Sequence, residues 1–313
     1  MHKIIAIDHG NDSIKTRNHH FKTCLTEHLI KPPLEKEIIK YKGKYYTLSG
    51  ERIPYMRDKT KDERFFILTL FALAKELEQD GHSHLLTSID LAVGLPPEHF
   101  GKQKDNFSDY FQHNTIIDFT YKDIPTSVRI NSVSVFTQAH AAVAPKIGSL
   151  RKASQTFIID IGGYTTDILL LRNGRIDINY CRSLEIGIIT MNNNLIGKIN
   201  ATHDMMIDDT HIMSILKGEA TILPIQIQEI VHTAAEQHAQ HILDKLRELK
   251  VDLRSNPAVF IGGGSILLRP YISNSTQVSA PEFVEDIRAN ALGYELLLTT
   301  KLNSASRYGG ATD

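Results

Sequence analysis

Residues 160–167 read Asp-Ile-Gly-Gly-Tyr-Thr-Thr-Asp, a spacing suited to holding a phosphate. Gly162 and Gly163 permit positive φ and carry no Cβ, so an anion can approach the backbone and collect several N–H bonds. Tyr164 and Thr165 add hydroxyl groups beside them. Asp160 stands where a carboxylate can hold a hydrated divalent cation or orient a water. An ordinary tight hairpin would use the same residues for its turn alone. The same grammar opens the chain, as Asp8-His-Gly10-Asn11-Asp-Ser13-Ile-Lys15. With Asp8 set on Asp160, Gly10 falls on Gly162 and Ser13 on Thr165. Paired motifs about half a chain apart suggest a duplicated architecture with one phosphate hairpin in each half. A third stretch, Gly262-Gly263-Gly264-Ser265-Ile266, follows an apolar run. Its bare backbone lets a flat group such as a nucleoside lie close, with a helix N-terminus toward phosphate. Gln138 precedes Asp160 by 22 residues, in a run of small residues.

The surrounding sequence indicates which elements must hold these residues. Residues 4–8 and 156–161 are apolar and β-branched, so each reads as a buried strand ending in a carboxylate. Residues 20–27 read as a strand, and 37–48 as a basic hairpin turning at Lys42-Gly43. Residues 60–79 read as a helix, polar over 60–63 and then apolar nearly all round over 65–74, the pattern of a buried helix. A strand follows over 85–95, stopped by Pro96-Pro97. A polar helix is expected over 98–111, with strands over 115–121 and 127–134. Gln138 is expected near the start of a short helix over 136–145. The second hairpin turns back at Asn173-Gly174, a strong turn signal. Helices follow over 187–195, 204–216 and 226–250. Met205, Met206 and Met213 read as core filler. A last helix over 285–300 would bury Ala289, Leu292, Leu296 and Leu297, with a frayed tail from Ser304. The expected divisions are 1–150, 151–284 and a C-terminal helix, 285–313, that packs back on the first.

Composition narrows the function. The chain has 313 residues, enough for two domains, and is 42% hydrophobic. Its net charge of −1 gives no global field that favours nucleic acid or acidic membranes. Two cysteines, Cys24 and Cys181, exclude a disulfide framework and a cysteine-rich metal site. They fit a reducing cytosol, and the chain enters a strand at once, with no room for a signal peptide. The fifteen histidines lack the spacing of a metal motif. His19, His20, His82 and His84 read as solvated.

In order, strand–Asp8-x-Gly10, Gln138, strand–Asp160-x-Gly162-Gly163 and strand–Gly262-Gly263-Gly264 resemble the actin/heat-shock-chaperone/sugar-kinase superfamily of ATPases. The match runs through essentially the whole chain. Residues 8–15 look like the first phosphate loop, 137–142 the first connecting helix and 160–167 the second phosphate loop. Gly262 to Ser265 looks like the adenosine loop, and residues 288–294 the second connecting helix. Within the superfamily the chain most resembles the short bacterial and archaeal actin-like proteins, especially the ParM (StbA) plasmid-segregation group. It departs from that group at Gln138, where ParM proteins carry Glu.

The resemblance implies an α/β, actin-like fold of two duplicated domains with ATP (or GTP) in the cleft between them. It implies phosphate contacts from Asp8, Gly10, Asn11, Ser13, Lys15, Gly162, Gly163, Tyr164 and Thr165. Nucleoside contacts would come from Gly262, Gly263, Gly264, Ser265 and Ile266. Asp8 and Asp160 would hold Mg through water. Gln138, with Asp160, would position the attacking water, and Gln cannot be a strong base. The implied partners are further copies of the chain in a head-to-tail filament, and a DNA-binding adaptor that links the filament to plasmid DNA. No membrane partner is implied, and the expected location is cytoplasmic. Two alternatives share the fold: a non-polymerising scaffold and a small-molecule kinase. The first half offers no convincing catalytic Asp for a kinase, and no amphipathic terminal helix favours a membrane scaffold.

Overall fold

A computed structural model describes residues 1–81, 86–112 and 115–308. The chain separates into two compact units, 1–145 with 288–313, and 146–287.

The first unit is built on β1 (His2–His9), a strand buried from Ile5 onward. It turns into β2 (Ser13–Lys15), which pairs with β3 (His20–Lys22). The expected strand over 20–27 is therefore broken at Thr23, whose N–H leaves the ladder to bond Asp12 O at 2.9 Å. It resumes as β4 (Cys24–His28). β5 (Ile38–Tyr41) and β6 (Lys44–Arg52) form the hairpin at Lys42-Gly43, where both residues have positive φ. That geometry matches the twist of the flanking strands.

A single 3-10 turn (Lys59–Lys61) precedes α1 (Glu63–Gln79), so the helix begins later than residue 60. Asp62 caps it by accepting the Arg64 N–H at 2.9 Å. Phe65, Leu68, Phe71 and Leu73 are all fully buried. Burial of each such side chain is worth about 1.5–3 kcal/mol. β7 (Thr87–Leu95) pairs parallel to β1. Leu85, where that strand was to start, lies outside the described residues, as do His82 and His84. Of the other two histidines, His20 is exposed and His19 half-buried. α2 (Pro97–Phe111) leads through β8 (Ile117–Tyr121) to β9 (Ile124–Thr137), which pairs parallel to β7 and is longer than its apolar alternation indicates. The sheet has nine strands in the order β3-β2-β1-β7-β9-β8-β5-β6-β4. The short α3 (His140–Val143) follows.

The second unit opens with α4 (Ile147–Leu150). β10 (Gln155–Ile161) and β11 (Thr166–Arg172) then form an antiparallel hairpin, continued by β12 (Arg175–Leu184) around Asn173-Gly174. α5 (Ile188–His203) runs eight residues beyond the end of the pattern over 187–195. Asp204, with φ 50° and ψ 44°, ends it in the left-handed region. The next helix is confined to α6 (Asp209–Leu216), because Asp208 caps it there. Met206 lies in the intervening loop and is 97% exposed, so it is not core filler; Met205 and Met213 are partly buried. α7 (Ile225–Glu248) buries the face Ile227, Val231, Ala235, Ile242 and Leu246. β13 (Ala258–Ile261) pairs parallel to β10, α8 (Gly263–Ser273) follows at once, and β14 (Pro281–Phe283) completes the sheet β12-β11-β10-β13-β14. α5, α7 and α8 pack on this sheet around Phe157, Ile159, Ile168 and Phe260.

The chain then returns to the first unit as α9 (Ala289–Tyr308), helical beyond Ser304. Its buried residues are Ala291, Tyr294 and Leu298, which meet Ala6, Ala92 and Ala141; Leu296 is 43% exposed. This is a neighbouring face to the one expected. Gly293 selects it, because its bare backbone packs where a Cβ would lie 1.9 Å from Ala141 O. No described helix is long and apolar enough to cross a membrane.

Candidate functional site

In the first unit the site residues gather at the carboxyl ends of parallel strands, where open α/β sheets bind ligands. Asp8 is one residue short of the end of β1 and only 3% exposed. It faces Lys15 across the hairpin. The Lys15 ammonium lies 3.5 Å from Asp8 Oδ2 and also donates to Ser13 O at 3.3 Å. The Lys15 side chain is 16% exposed, so it is tucked over the loop and not a solvated strand lysine. Gly10 is required here, since a Cβ would sit 2.6 Å from Ser13 O. Two further contacts stiffen the turn: Thr23 donates to Gly10 O at 2.8 Å, and the Met56 N–H to Asn11 Oδ1 at 3.3 Å.

Gln138 reaches this loop from another strand. It is the first residue after β9 and lies two residues short of α3, outside the helix expected to hold it. Its N–H donates to Leu95 O at 2.9 Å, which ties it to the end of β7. Its side-chain amide donates to Asp8 Oδ1, also at 2.9 Å. A carboxylate only accepts, so this bond fixes the amide with Nε2 toward Asp8 and Oε1 as its remaining acceptor.

His9, the next residue on β1, points into the core. It stacks on Phe111 and bonds Thr69 Oγ1 at 2.8 Å. The Thr69 hydroxyl already donates to Phe65 O, so the His9 Nε2–H is the donor. Burial pushes its pKa down to about 3, with the charge of Lys59 adding to the effect. The imidazole is neutral and structural.

In the second unit Asp160 is 9% exposed near the tip of β10, opposite Asp167 on β11. The turn closes with the Gly162 N–H on Thr165 O at 2.8 Å, and Thr165 Oγ1 donates to Asp167 at 3.2 Å. The start of α5 holds the turn from outside. Ile188 and Ile189 donate their N–H groups to Gly162 O and Gly163 O at 3.2 and 2.7 Å. Gly187, just before that helix, packs so close that a Cβ would lie 2.3 Å from Gly163 O. On α7, burial pushes the pKa of His238 down to about 4, with His241 adding to the effect. Tyr164 is half-buried on the same turn.

The triple-glycine turn meets this hairpin. Gly262 has φ 86°, and a Cβ there would fall 2.4 Å from Asp160 Oδ1. Gly264 packs on Ile161, and Gly263 faces open space. Ser265 is fully buried, and both its N–H and its hydroxyl bond Gly262 O, at 3.1 and 2.8 Å. Its side chain thus ties the first turn of α8 to the Gly262 carbonyl. Ile266 is half-buried one residue on.

The structure therefore brings Asp8, Gly10, Asn11, Ser13, Lys15 and Gln138 together in one unit. It brings Asp160 to Thr165 and Gly262 to Ile266 together in the other. Among the described residues no three His, Cys, Asp or Glu side chains gather as a metal cage. Lone carboxylates at strand tips suit Mg, which keeps several waters and takes one or two carboxylates plus phosphate oxygens. Sequence reading missed two residues that hold the loops. Gly187 carried a signal, a glycine between a strand and a helix. Asn290, which accepts the Ala139 N–H at 2.9 Å, carried none, since its partner is 151 positions away.

The family model for the actin-like-protein N-terminal domain matches residues 6–140. The model for the C-terminal domain of the archaeal MreB-like actin homologue matches residues 158–274. No curated protein matches the chain by sequence. Among solved structures, the archaeal actin homologue Ta0583 superposes with a TM-score of 0.76 at 17% identity, over 95% of this chain and 99% of that one. ParM from a 15-stranded Clostridium botulinum filament gives 0.76 at 19%, over 96% and 100%. AlfA, in a filament bound to AMPPNP, gives 0.63 at 16%, over 97% and 99%. At these identities the likeness shows the fold, which is actin-like. With each unit matched by a model from the same superfamily, the chain belongs to the actin-like proteins.

Proposed function

We propose that this chain is a filament-forming actin-like ATPase that binds ATP with Mg and serves DNA segregation in the manner of the ParM group. The observation that carries this reading is the bond from Gln138 to Asp8, with Lys15 on the other carboxylate oxygen. A buried acid, a cation and an amide that meet at one glycine turn support a phosphate-handling role over that of a plain hairpin. Relatives support the reading: Ta0583 is known in complex with ADP, and ParM and AlfA as filaments.

The Gly10–Ser13 and Gly162–Thr165 turns supply N–H groups to the phosphates, and Lys15 adds a point charge. Asp8 and Asp160 are the carboxylates that would hold a hydrated Mg, and the metal would neutralise phosphate charge. Gln138 Oε1 accepts a hydrogen bond from the attacking water and orients it without taking its proton, so catalysis is mainly positioning and electrostatics. Gly263, which faces open space, leaves room for the nucleoside, while Gly262 and Gly264 let the turn pack on Asp160 and Ile161. Copies of the chain assemble head to tail, and a DNA-binding adaptor links the polymer to plasmid DNA.

Calorimetric titration with ATP and with GTP, each with and without Mg, tests the binding step. Saturable Mg-dependent binding, weakened in Asp8→Ala, is expected. No binding of either nucleotide by folded protein would overturn the reading.

A further inference from the structure

The link between β9 and α3 consists of Gln138 and Ala139. Ala139 has φ 63° and ψ −52°, and the His140 N–H bonds Gln138 O at 2.7 Å. Those values describe a γ-turn of the rare positive-φ kind, strained for any residue with a Cβ. Such a turn persists only when its surroundings over-determine it. Ala139 is fully buried, and its N–H donates to Asn290 Oδ1 at 2.9 Å. Asn290 lies in the first turn of α9, and Gly293, one turn on, fixes that helix against Ala141.

We propose that Asn290 is a positioning residue: its side chain holds the Ala139 γ-turn and thereby keeps Gln138 on Asp8. Without Oδ1, the buried Ala139 N–H loses its acceptor, and rotation of Ala139 to negative φ becomes the lower-energy solution. That rotation swings Gln138, the preceding residue, away from the loop. The start of α9 thus sets the geometry of a residue 151 positions earlier. The consequence for turnover rests on the reading of Gln138 as the group that orients water.

The test uses the full chain and has two arms. Amide hydrogen exchange on nucleotide-free protein reads the turn itself. Asn290→Ala should speed exchange at Ala139 and His140 about tenfold, the scale of one lost hydrogen bond. Asn290→Asp, which keeps an acceptor oxygen, should restore protection. Unchanged exchange in Asn290→Ala overturns the proposal. Single-turnover ATP hydrolysis reads the consequence, with Asn290→Ala made in the native and Ala139→Gly backgrounds. Glycine adopts positive φ without being held. The substitution should slow turnover about tenfold in the native background and less than about threefold beside Gly, with nucleotide affinity unchanged in both. Equal penalties in the two backgrounds overturn the proposal, and the Ala139→Gly pair keeps the comparison available if Asn290→Ala alone folds poorly. If unmodified protein hydrolyses no ATP, the proposed function fails, while exchange still decides whether Asn290 holds the turn.

Discussion

The side-chain amide of Gln138 donates to Asp8 across 2.9 Å and joins residues 130 positions apart. The bond does two things at once. It helps to satisfy a carboxylate that is only 3% exposed, and it leaves Gln138 Oε1 as the acceptor that can face a water. The Gln138 backbone is anchored separately, on Leu95 O. Loss of the side chain should therefore spare the loop and remove the orienting group.

Gln138→Ala is expected to keep nucleotide affinity and slow hydrolysis about a hundredfold, a few kcal/mol of barrier. Equilibrium titration beside single-turnover kinetics separates the two effects. Lost affinity with preserved turnover would make Gln138 a nucleotide contact.

Asp160→Ala should abolish Mg-dependent hydrolysis in a folded protein. Asp160 lies against Gly262, so an alanine there loosens contact and adds no clash. Circular dichroism checks the fold, and phosphate release against Mg concentration reads the effect. Native turnover in this variant would remove Asp160 from the site.

The hairpins at Asp8 and Asp160 were legible because their signal is local: an apolar strand, a carboxylate, then glycine within two residues. The turns at Lys42-Gly43 and Asn173-Gly174 were legible for the same reason, as both need two positive φ values. What escaped depends on partners far along the chain. The apolar residues of 285–300 outline a face through Ala289, Leu292 and Leu296. Burial instead follows Ala291, Tyr294 and Leu298, because Gly293 lets the backbone reach Ala141. Met206 reads as core by composition, yet Asp204 ends α5 in the left-handed region, and Met206 follows in the exposed loop. The small residues after Gln138 read as a helix that includes it, and the γ-turn that keeps it out needs Asn290.

Gly187→Ala should destabilise the second unit, because the clash is with the Gly163 backbone and no side chain can swing aside. Overpacking of this kind costs about 1–3 kcal/mol or more. Gly263→Ala, which meets nothing within 4 Å, is the control and should be close to neutral apart from any effect on nucleotide binding. Urea melts of the two variants decide the matter, and equal midpoints would contradict the packing described for Gly187.

His9 gives stability an acid limb. Its folded pKa of about 3 lies below the ordinary 6.5, so the unfolded chain takes up a proton that the folded protein refuses. The contribution is complete above pH 6.5 and is lost as pH falls toward about 3. Between pH 7 and pH 5 that one group should remove about 2 kcal/mol. His9→Gln should flatten this part of the curve relative to the native protein. Identical pH dependence in urea melts of the two would show that His9 does not carry the limb.

Sedimentation across protein concentration, in ATP–Mg and in ADP–Mg, tests the central claim most directly. Head-to-tail contacts need not close into rings, so a change of nucleotide is felt at every contact along a polymer. A few kcal/mol of differential contact energy moves a critical concentration by orders of magnitude. The predicted result is a sharp critical concentration that is lower in ATP, with Gln138→Ala polymers that outlast native ones after ATP is added. A single non-sedimenting species in both nucleotides, at concentrations well above micromolar and near-physiological salt, would contradict it.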